Sequence, residues 1–325
     1  MLKCGFYEKE VTPPLGDLMP GYFGKRPAET VRDRLYVKAL SMQMEEKTVI
    51  MIVLDAVATY DALCDGVLKR ITEYTNVSAE NIMISATHPH MGMPLPGRGG
   101  EFDEDDCAYS DVLIRYMADA AILAWQNMVP CKVLHNKSIE EGLGFNRNYI
   151  MKDGSIRTNP GWNNPNVERP YGPTDPEFQT LFFLDENDKP IGSLMSFACH
   201  HDSVGGAWGN KYSSDFSGIV AKNMKKEFGS DFVSVFMSGA CGNINHIDIF
   251  RKEEKYEHPR YLDIGAQLSE AALKQFKTAE VLNTDSLDCI KEYVPVQKRY
   301  IPQEEIDEAF ELFAPCREQS SSSVR

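Results

Sequence analysis

The run Asn81-Ile82-Met83-Ile84-Ser85-Ala86 is mostly apolar and is followed, after Thr87, by His88-Pro89-His90. Upstream of it, Val49 to Leu54 is continuously apolar, which is typical of a strand that is covered on both faces. Between these two runs, Asp61 to Tyr74 shows apolar residues at helical spacing. A strand, a helix and a second strand in this order predict an α/β fold.

The same mixture of strands and helices continues along the chain. The further strands that we predict are Arg34 to Met44, Phe178 to Leu184, Ile191 to Ala198 and Phe232 to Met237. The further helices that we predict are Ala108 to Met128, Phe216 to Phe228 and Tyr261 to Phe276. We therefore expect a mixed β-sheet core flanked by helices, with the chemically active residues on loops at strand ends.

One long segment lacks this periodicity. Glu141 to Pro176 is rich in Gly, Asn and Pro and shows neither a helical nor an alternating pattern. A structureless connection of this length inside a compact domain is usually functional or mobile. We predict that it is a loop at the functional site.

Charge and composition limit the classes of partner. The 325 residues include 34 Lys and Arg against 48 Asp and Glu, a formal net charge of -14. Such a charge repels phosphates, so we expect no nucleic-acid partner, and a small-molecule or lipid-like substrate is favoured. The composition carries no signal for a particular oligomeric state.

Location is predicted from targeting signals and cysteines. Met1 to Glu10 lacks the apolar run of a signal peptide, and no stretch approaches the ~20 apolar residues of a membrane span. The eight cysteines lack Cys-x-x-Cys spacing, which favours reduced and mostly buried thiols. We expect a cytoplasmic protein without an integral membrane segment, or a secreted one if a natural leader precedes this sequence.

Two histidines stand directly after the predicted strand that ends at Ala86. Residues two apart in an extended chain point the same way, so the imidazoles of His88 and His90 are expected to face one point. Open α/β sheets bind ligands at the carboxyl ends of their strands. The spacing indicates a site, and a pair of surface histidines in a proline-rich loop is the alternative.

His200-His201-Asp202 ends the predicted strand Ile191 to Ala198 in a similar way. Adjacent residues on a strand point to opposite faces, so we expect only one of the two histidines to meet a site. Asp202 is a candidate to orient an imidazole or to bind a metal directly. A purely structural histidine pair is the alternative interpretation.

A third strand end carries glycines and a histidine, in the segment from Gly239 to His246. Two glycines allow a tight turn that aims backbone N–H groups at a developing oxyanion, and a plain turn is the alternative. Cys241 lies in this segment without a motif that would make it a nucleophile, which favours a buried thiol. Five of the seven histidines therefore lie in three strand-end segments, and imidazoles with a carboxylate suit zinc.

At these segments the sequence resembles the neutral, non-lysosomal ceramidases and their bacterial relatives. Ile84-Ser85-Ala86-Thr87-His88-Pro89-His90 resembles the family's Leu-Ser-Ala-Thr-His-Thr-His, whose first histidine binds zinc. The resemblance assigns that role to His88. Val11-Thr12-Pro13-Pro14 and Met19-Pro20-Gly21-Tyr22 resemble the family's opening, where an Asp-Ile-Thr stretch precedes a Met-x-Gly-Tyr turn.

The resemblance covers the chain from about Phe6 to Asn245. Ser196-Phe197-Ala198-Cys199-His200 is similar to Trp-Phe-Ala-Val-His, which implies that His200 is the second zinc ligand. Asn146-Arg147 resembles an Asn-Arg-Ser whose arginine lies in the active site, and Ser213-Ser214-Asp215 with Gly218 resembles Ser-Ser-Asp-Asn-x-Gly. The resemblance implies a zinc-hydrolase fold, with a ceramidase-like catalytic domain over residues 1–300.

Two features depart from the family pattern. Gly242-Asn243-Ile244-Asn245-His246-Ile247 stands where ceramidases carry Gly-Asp-Val-Ser-Pro-Asn, so Asn245 replaces the catalytic serine. Asparagine can donate a hydrogen bond to an oxyanion but is no nucleophile. The family's other two zinc ligands, a glutamate and a tyrosine, have no match before Arg325, which leaves Asp202, His201 and His246 as candidates to orient the ligands or to replace the missing ones.

The C-terminal part is predicted separately. Pro302 to Phe313 predicts a helix that is opened by its proline, and four serines from Ser320 to Ser323 follow. We predict that residues 301–325 are a C-terminal helix with a disordered or truncated tail.

The resemblance implies a zinc-dependent hydrolase that cleaves an N-acyl amide by metal-activated water. Zinc would be held by His88 and His200, a proton would be moved by His90 or a carboxylate, and Arg147 with Asn245 would hold the oxyanion or the substrate. An esterase or deacylase on a small polar substrate is the first alternative. An inactive fragment or a carbohydrate-binding or lipid-binding relative of a longer family member is the second.

Overall fold

The computed structural model describes residues 1–22, 26–93, 104–205, 208–251 and 258–311, with only the backbone described at 104–108. The chain divides into two compact units, Met1–Cys289 and Ile290–Arg325. The first unit holds all the named strands and helices below. In the second, residues 303–311 are helical, and the remainder of the predicted helix and the serine-rich tail lie outside the described residues. The predicted boundary at residue 300 stays a prediction.

The described residues of the first unit form four α-helices, and a short 3₁₀ turn lies at Ala79–Asn81. The α-helices are α1 (Asp61–Tyr74), α2 (Glu104–Gln126), α3 (Asp215–Phe228) and α4 (Tyr261–Thr278). The eight longer strands that form the main sheet are β1 (Lys3–Glu10), β3 (Tyr36–Met44), β4 (Lys47–Leu54), β5 (Ile82–Ala86), β6 (Val129–Ile139), β11 (Glu177–Asp185), β12 (Pro190–Phe197) and β14 (Val233–Ser238). The short strands are β2 (Thr30–Val31), β7 (Phe145–Asn146), β8 (Asn148–Met151), β9 (Ile156–Thr158), β10 (Val167–Pro170), β13 (Lys211–Tyr212), β15 (Ile244–Asn245) and β16 (Glu280–Val281).

The main sheet has nine strands and mixed direction. Its order is β14-β12-β11-β6-β1-β3-β4-β5, with β16 paired to β6 beside this path. The pairs β12 with β14 and β4 with β5 are parallel, and the other pairs are antiparallel. The prediction of a mixed sheet flanked by helices is therefore confirmed.

The sheet folds back on itself, because β14 at one end contacts β3, β4 and β5 at the other. A small apolar core fills the space between the two halves, with Leu40 and Val53 from one half and Phe183 and Val235 from the other. On the outer faces, α2 packs on β1 and β3, whereas α3 packs on β14 and α4 packs on β6 and β11. Both faces of the strands are thus covered, which explains the continuously apolar run in β4.

This folding brings the loops that follow β5, β12 and β14 to the same place. The Ser238 hydroxyl, at the end of β14, donates to the carbonyl of Thr87 after β5 (2.9 Å). The His90 N–H donates to the carbonyl of His201 after β12 (2.9 Å). Three loops that are distant in the sequence therefore meet at one edge of the sheet.

Most predicted elements are confirmed within a few residues, and the helix Asp61–Tyr74 is confirmed at both ends. The prediction of a structureless segment from Glu141 to Pro176 is wrong. Three of its short strands form their own antiparallel sheet in the order β10-β8-β9, and β7 pairs with β15. Strands of two to four residues are too short to show an alternating pattern, which explains the error.

In the part of the chain that the structure describes, no helix combines the length and the apolar character needed to cross a membrane.

Candidate metal centre

Three imidazoles meet at the edge where the loops converge. The Nε2 atom of His200 lies 3.1 Å from that of His88 and 3.0 Å from that of His90, and the latter two are 3.4 Å apart. His88 and His90 come from the loop after β5, and His200 comes from the loop after β12. The imidazoles of His88 and His90 thus face one point as predicted, but not through extended geometry, because His88 lies beyond the end of β5 and has a φ of +69°.

The outer nitrogens of the rings are held by oxygen atoms. Nδ1 of His88 contacts the carbonyl oxygen of Val57, and Nδ1 of His200 contacts that of Cys241 at 3.1 Å. A carbonyl oxygen only accepts, so each Nδ1 carries the proton and each Nε2 of these neutral rings carries a lone pair. Two lone pairs are thus directed toward the point where the three rings meet.

The third ring has a carboxylate behind it. Nδ1 of His90 lies 3.8 Å from Oδ2 of Asp202, beyond hydrogen-bond distance, and is buried without a hydrogen-bond partner among the described residues. This carboxylate is on the side of the ring opposite to Nε2. Metal-ligating histidines usually have such a carboxylate or carbonyl near the other ring nitrogen. Asp202 therefore lies where it can orient His90 rather than at the meeting point itself.

The donor set fits a divalent metal, and zinc in particular. Lone pairs of neutral imidazoles repel each other at about 3 Å unless a cation or proton lies between them. Tetrahedral zinc with Zn–N bonds of about 2.0–2.1 Å separates its nitrogen ligands by about 3.3–3.4 Å. The observed separations of 3.0 to 3.4 Å are close to that value. Three histidines with an open fourth position is also the ligand pattern of some catalytic zinc sites.

Burial keeps the rings of His90 and His200 neutral, as metal ligation requires. Burial lowers the pKa of His90 to about 3, and the neighbouring His200 and His88 act in the same direction. Burial also lowers the pKa of His200. Because neutral imidazole is the ligand form, the site needs no deprotonation to bind metal near pH 7.

Arg147 lies between β7 and β8, close enough to His90 and His200 for its charge to act on both. Its N–H donates to the carbonyl of Asn243 (2.8 Å), and its Nη2 donates to the carbonyl of Gly242 (2.6 Å). Besides burial, its positive charge contributes to the lowered pKa values of His90 and His200. A guanidinium so placed can stabilise negative charge that develops beside the histidines.

Asn245 is buried on the neighbouring short strand, β15. Its side-chain Nδ2 donates to Oδ1 of Asn159 (3.1 Å), and its Oδ1 accepts from the N–H of Ile247 (3.1 Å). The amide therefore joins the loop at Asn159 to the segment after β14. Its predicted role at an oxyanion stays a prediction.

His201 and His246 lie outside the three-histidine cluster. The ring of His201 stacks on Phe216 (3.8 Å between centroids, 22° between planes), and its Nδ1 lies 3.3 Å from Oγ of Ser238. Burial lowers the pKa of His246 to about 4. Among the described residues, the group of three or more potential metal-ligand atoms that all lie within 4.8 Å of one another consists of those of His88, His90 and His200.

The Cys241 thiol is partly buried, whereas the sequence predicts a buried one. Burial raises the pKa of its side chain, which keeps the sulfur protonated and poorly nucleophilic. Its backbone carbonyl has the clearer role, since it accepts the hydrogen bond from Nδ1 of His200.

Two residues beside the cluster were not predicted as site residues. The Tyr22 hydroxyl donates to Oδ1 of Asp202, and its ring stands edge-on to His90 at 5.5 Å. Arg26 donates to the carbonyls of Pro20 (2.6 Å) and His90 (2.7 Å). The Met-x-Gly-Tyr resemblance at residues 19–22 was the available signal, but nothing local in the sequence connects it with Asp202.

A family profile matches most of the chain. The family described as neutral/alkaline non-lysosomal ceramidase, N-terminal, matches residues 3–246. These residues include all three histidines of the cluster together with Arg147 and Asn245. No curated protein sequence gives a significant match.

Solved structures show the same fold. The chain is similar to the neutral ceramidase from Pseudomonas aeruginosa, with a TM-score of 0.69 and 18% identity over 84% of this chain and 44% of that one. A ceramidase complexed with C2 gives a TM-score of 0.69 and 18% identity, over 84% of this chain and 43% of that one. The chain thus spans less than half the length of these two proteins.

Proposed function

The chain belongs to the neutral/alkaline non-lysosomal ceramidase family, and from that premise we propose that it is a zinc-dependent hydrolase of an N-acyl amide bond. The convergence of three Nε2 atoms within 3.4 Å supports the proposal most directly. We assign the activity to the unit Met1–Cys289, because it contains every residue named for the site.

In this proposal His88, His90 and His200 hold the metal. When bound there, zinc would polarise the scissile carbonyl and lower the pKa of water toward ~7. His90 then serves as a ligand, which differs from the proton-transfer role that the sequence resemblance suggested for it. The short distance between its Nε2 and that of His200 (3.0 Å) supports the change.

The other charged groups have separate tasks. The Arg147 guanidinium stabilises the oxygen of the scissile carbonyl as negative charge develops on it, because its charge acts on His90 and His200. Asp202 orients the imidazole of His90 from the side opposite to Nε2, where its Oδ2 lies 3.8 Å from Nδ1. The Tyr22 hydroxyl, which donates to Oδ1 of Asp202, keeps that carboxylate beside His90.

The proposal is tested by metal content and turnover on the same purified chain. We expect about one zinc per chain by elemental mass spectrometry, and loss of that zinc in H88A and in H200A. A panel of N-acyl amides and matching esters, from short to long acyl groups, then separates the substrate classes. Turnover of short esters without any amide would favour an esterase or deacylase, and zinc far below one per chain would favour a binding relative.

A further inference from the structure

A short segment before α3 contacts both of the loops that carry the histidines. The segment is Ser213-Ser214-Asp215, and its last residue is the first residue of α3. Asp215 is only 1% exposed and has a φ of +56°, a conformation that non-glycine residues rarely adopt. A backbone conformation of this kind persists where contacts with the surrounding structure stabilise it.

The carboxylate of Asp215 accepts four hydrogen bonds. Its Oδ2 accepts from the N–H groups of Ser203 (2.9 Å) and Val204 (3.1 Å). Its Oδ1 accepts from the Ser203 hydroxyl and from the N–H of Phe216 (2.7 Å). Three of these donors belong to the loop that follows His200, and all are buried. The Asp215 side chain therefore satisfies three buried hydrogen-bond donors of that loop, two from Ser203 and one from Val204.

The loop between these contacts carries the residues of the candidate metal centre. At its beginning the N–H of His200 donates to the carbonyl of Ile244 (3.1 Å), and at its end Ser203 and Val204 donate to Asp215. Asp202 lies between the two anchors. Movement of the Asp215 anchor would therefore displace the carboxylate that lies behind His90.

The same segment also contacts the loop after β5. The N–H of Ser213 donates to the carbonyl of Met91 (2.9 Å), one residue after His90. The Ser213 hydroxyl donates to Asp33 (2.5 Å), and it accepts from the N–H of Asp215 (3.1 Å). Ser213 and Asp215 thus join the two histidine-bearing loops through one rigid connection.

We propose that Asp215 is a positioning residue of the metal centre, which sets the loop of His200 and Asp202 against the loop of His88 and His90. This inference rests on the proposed function, because it assigns a role toward the metal held there. Asparagine cannot take this role. Both carboxylate oxygens of Asp215 accept two hydrogen bonds each, and in asparagine one of these oxygens is replaced by an NH₂ group, which donates and cannot accept. Outer-shell groups of this kind typically change metal affinity 10–100-fold.

The test compares D215N with two other variants of the full chain. S203A removes a single donor to the Asp215 carboxylate and leaves the carboxylate in place. S269A is the matched control, because Ser269 is buried in α4 and donates to the Gly265 carbonyl (2.6 Å) of the same helix. The readouts are the zinc Kd, the visible absorption spectrum of the cobalt-substituted protein, and the thermal midpoint.

We expect D215N to raise the zinc Kd by about 10–100-fold and S203A by a smaller factor, and both to alter the cobalt spectrum. S269A should change the thermal midpoint alone. If D215N does not fold, S203A decides the question. Wild-type Kd and spectrum in the folded variants would overturn the positioning role and leave the metal centre intact. A wild-type chain that binds no zinc would overturn both.

Discussion

Replacement of His90 by alanine distinguishes the two roles that this residue has been given. In the structure its Nε2 is one of three that converge, at 3.0 Å from His200 and 3.4 Å from His88. Zinc binding by a four-ligand protein site is worth about 10–16 kcal/mol. One ligand's equal share is about 2.5–4 kcal/mol, or about two to three powers of ten in Kd. We expect H90A to weaken zinc binding by that factor.

The assay is competition for zinc with a chromophoric chelator, followed by turnover at saturating zinc. H258A is the control, because His258 is an exposed imidazole that pairs with Asp263 at 2.9 Å, away from the cluster. Its Kd should equal that of the wild type. The reasoning would be refuted if H90A kept the wild-type Kd and lost only turnover, by about 10²–10⁴-fold, as a proton-transfer residue would.

Three further predictions follow from the site and its surroundings. R147A should lower kcat by about 10²–10³ with zinc content unchanged, as loss of an oxyanion donor does, and equal turnover in the two proteins would contradict this. Removal of zinc with a chelator should lower the thermal midpoint by roughly 7 °C when free zinc had been about a thousand times Kd, which differential scanning calorimetry measures. Burial lowers the pKa of His246 from 6.5 to about 4, and the charge of Arg260 acts in the same direction. Because the unfolded chain binds this proton more readily, its stabilising contribution is present above about pH 6.5 and is lost as the pH falls to about 4. H246Q should therefore lose less unfolding free energy than the wild type over that interval, by on the order of 2–3 kcal/mol in urea titrations, and equal losses would contradict the argument.

The longer elements could be predicted from the sequence because their patterns report burial directly. The apolar run in β4 indicated a strand covered on both faces, and the structure covers it with helices on one side and the second half of the sheet on the other. The helical spacing in α1 gave both of its ends correctly. The pattern in β1 gave no such signal, since that strand alternates charged and apolar residues only in part.

The candidate site could be predicted in part. The sequence predicted that the imidazoles of His88 and His90 face one point, but the extended geometry behind that prediction is absent, because His88 has a φ of +69°. The family resemblance, now confirmed, assigned His88 and His200 as ligands. The ligand roles themselves stay predictions. What the sequence did not indicate was the position of His90 Nε2 beside the other two, because that depends on the loop after β12.

The contacts of Tyr22 and Asp215 could not be predicted at all. Tyr22 meets Asp202 across 180 residues, and Asp215 meets Ser203 through a backbone conformation that only the folded chain imposes. No periodic pattern reports contacts of this range. They depend on how the two halves of the sheet come together, which is a tertiary property.

The back-folded sheet has a consequence for the order of events in folding. His88 and His200 are 112 residues apart, and their loops meet only once β14 lies against β5. Closure of so long a chain segment is an entropic cost that must precede the contacts it allows, and it slows folding. Under the proposed function, metal binding is then a late step that follows closure. We therefore expect a protease to cleave the zinc-free chain faster than the zinc-bound chain, because a metal that binds only the folded chain shifts the equilibrium away from open forms.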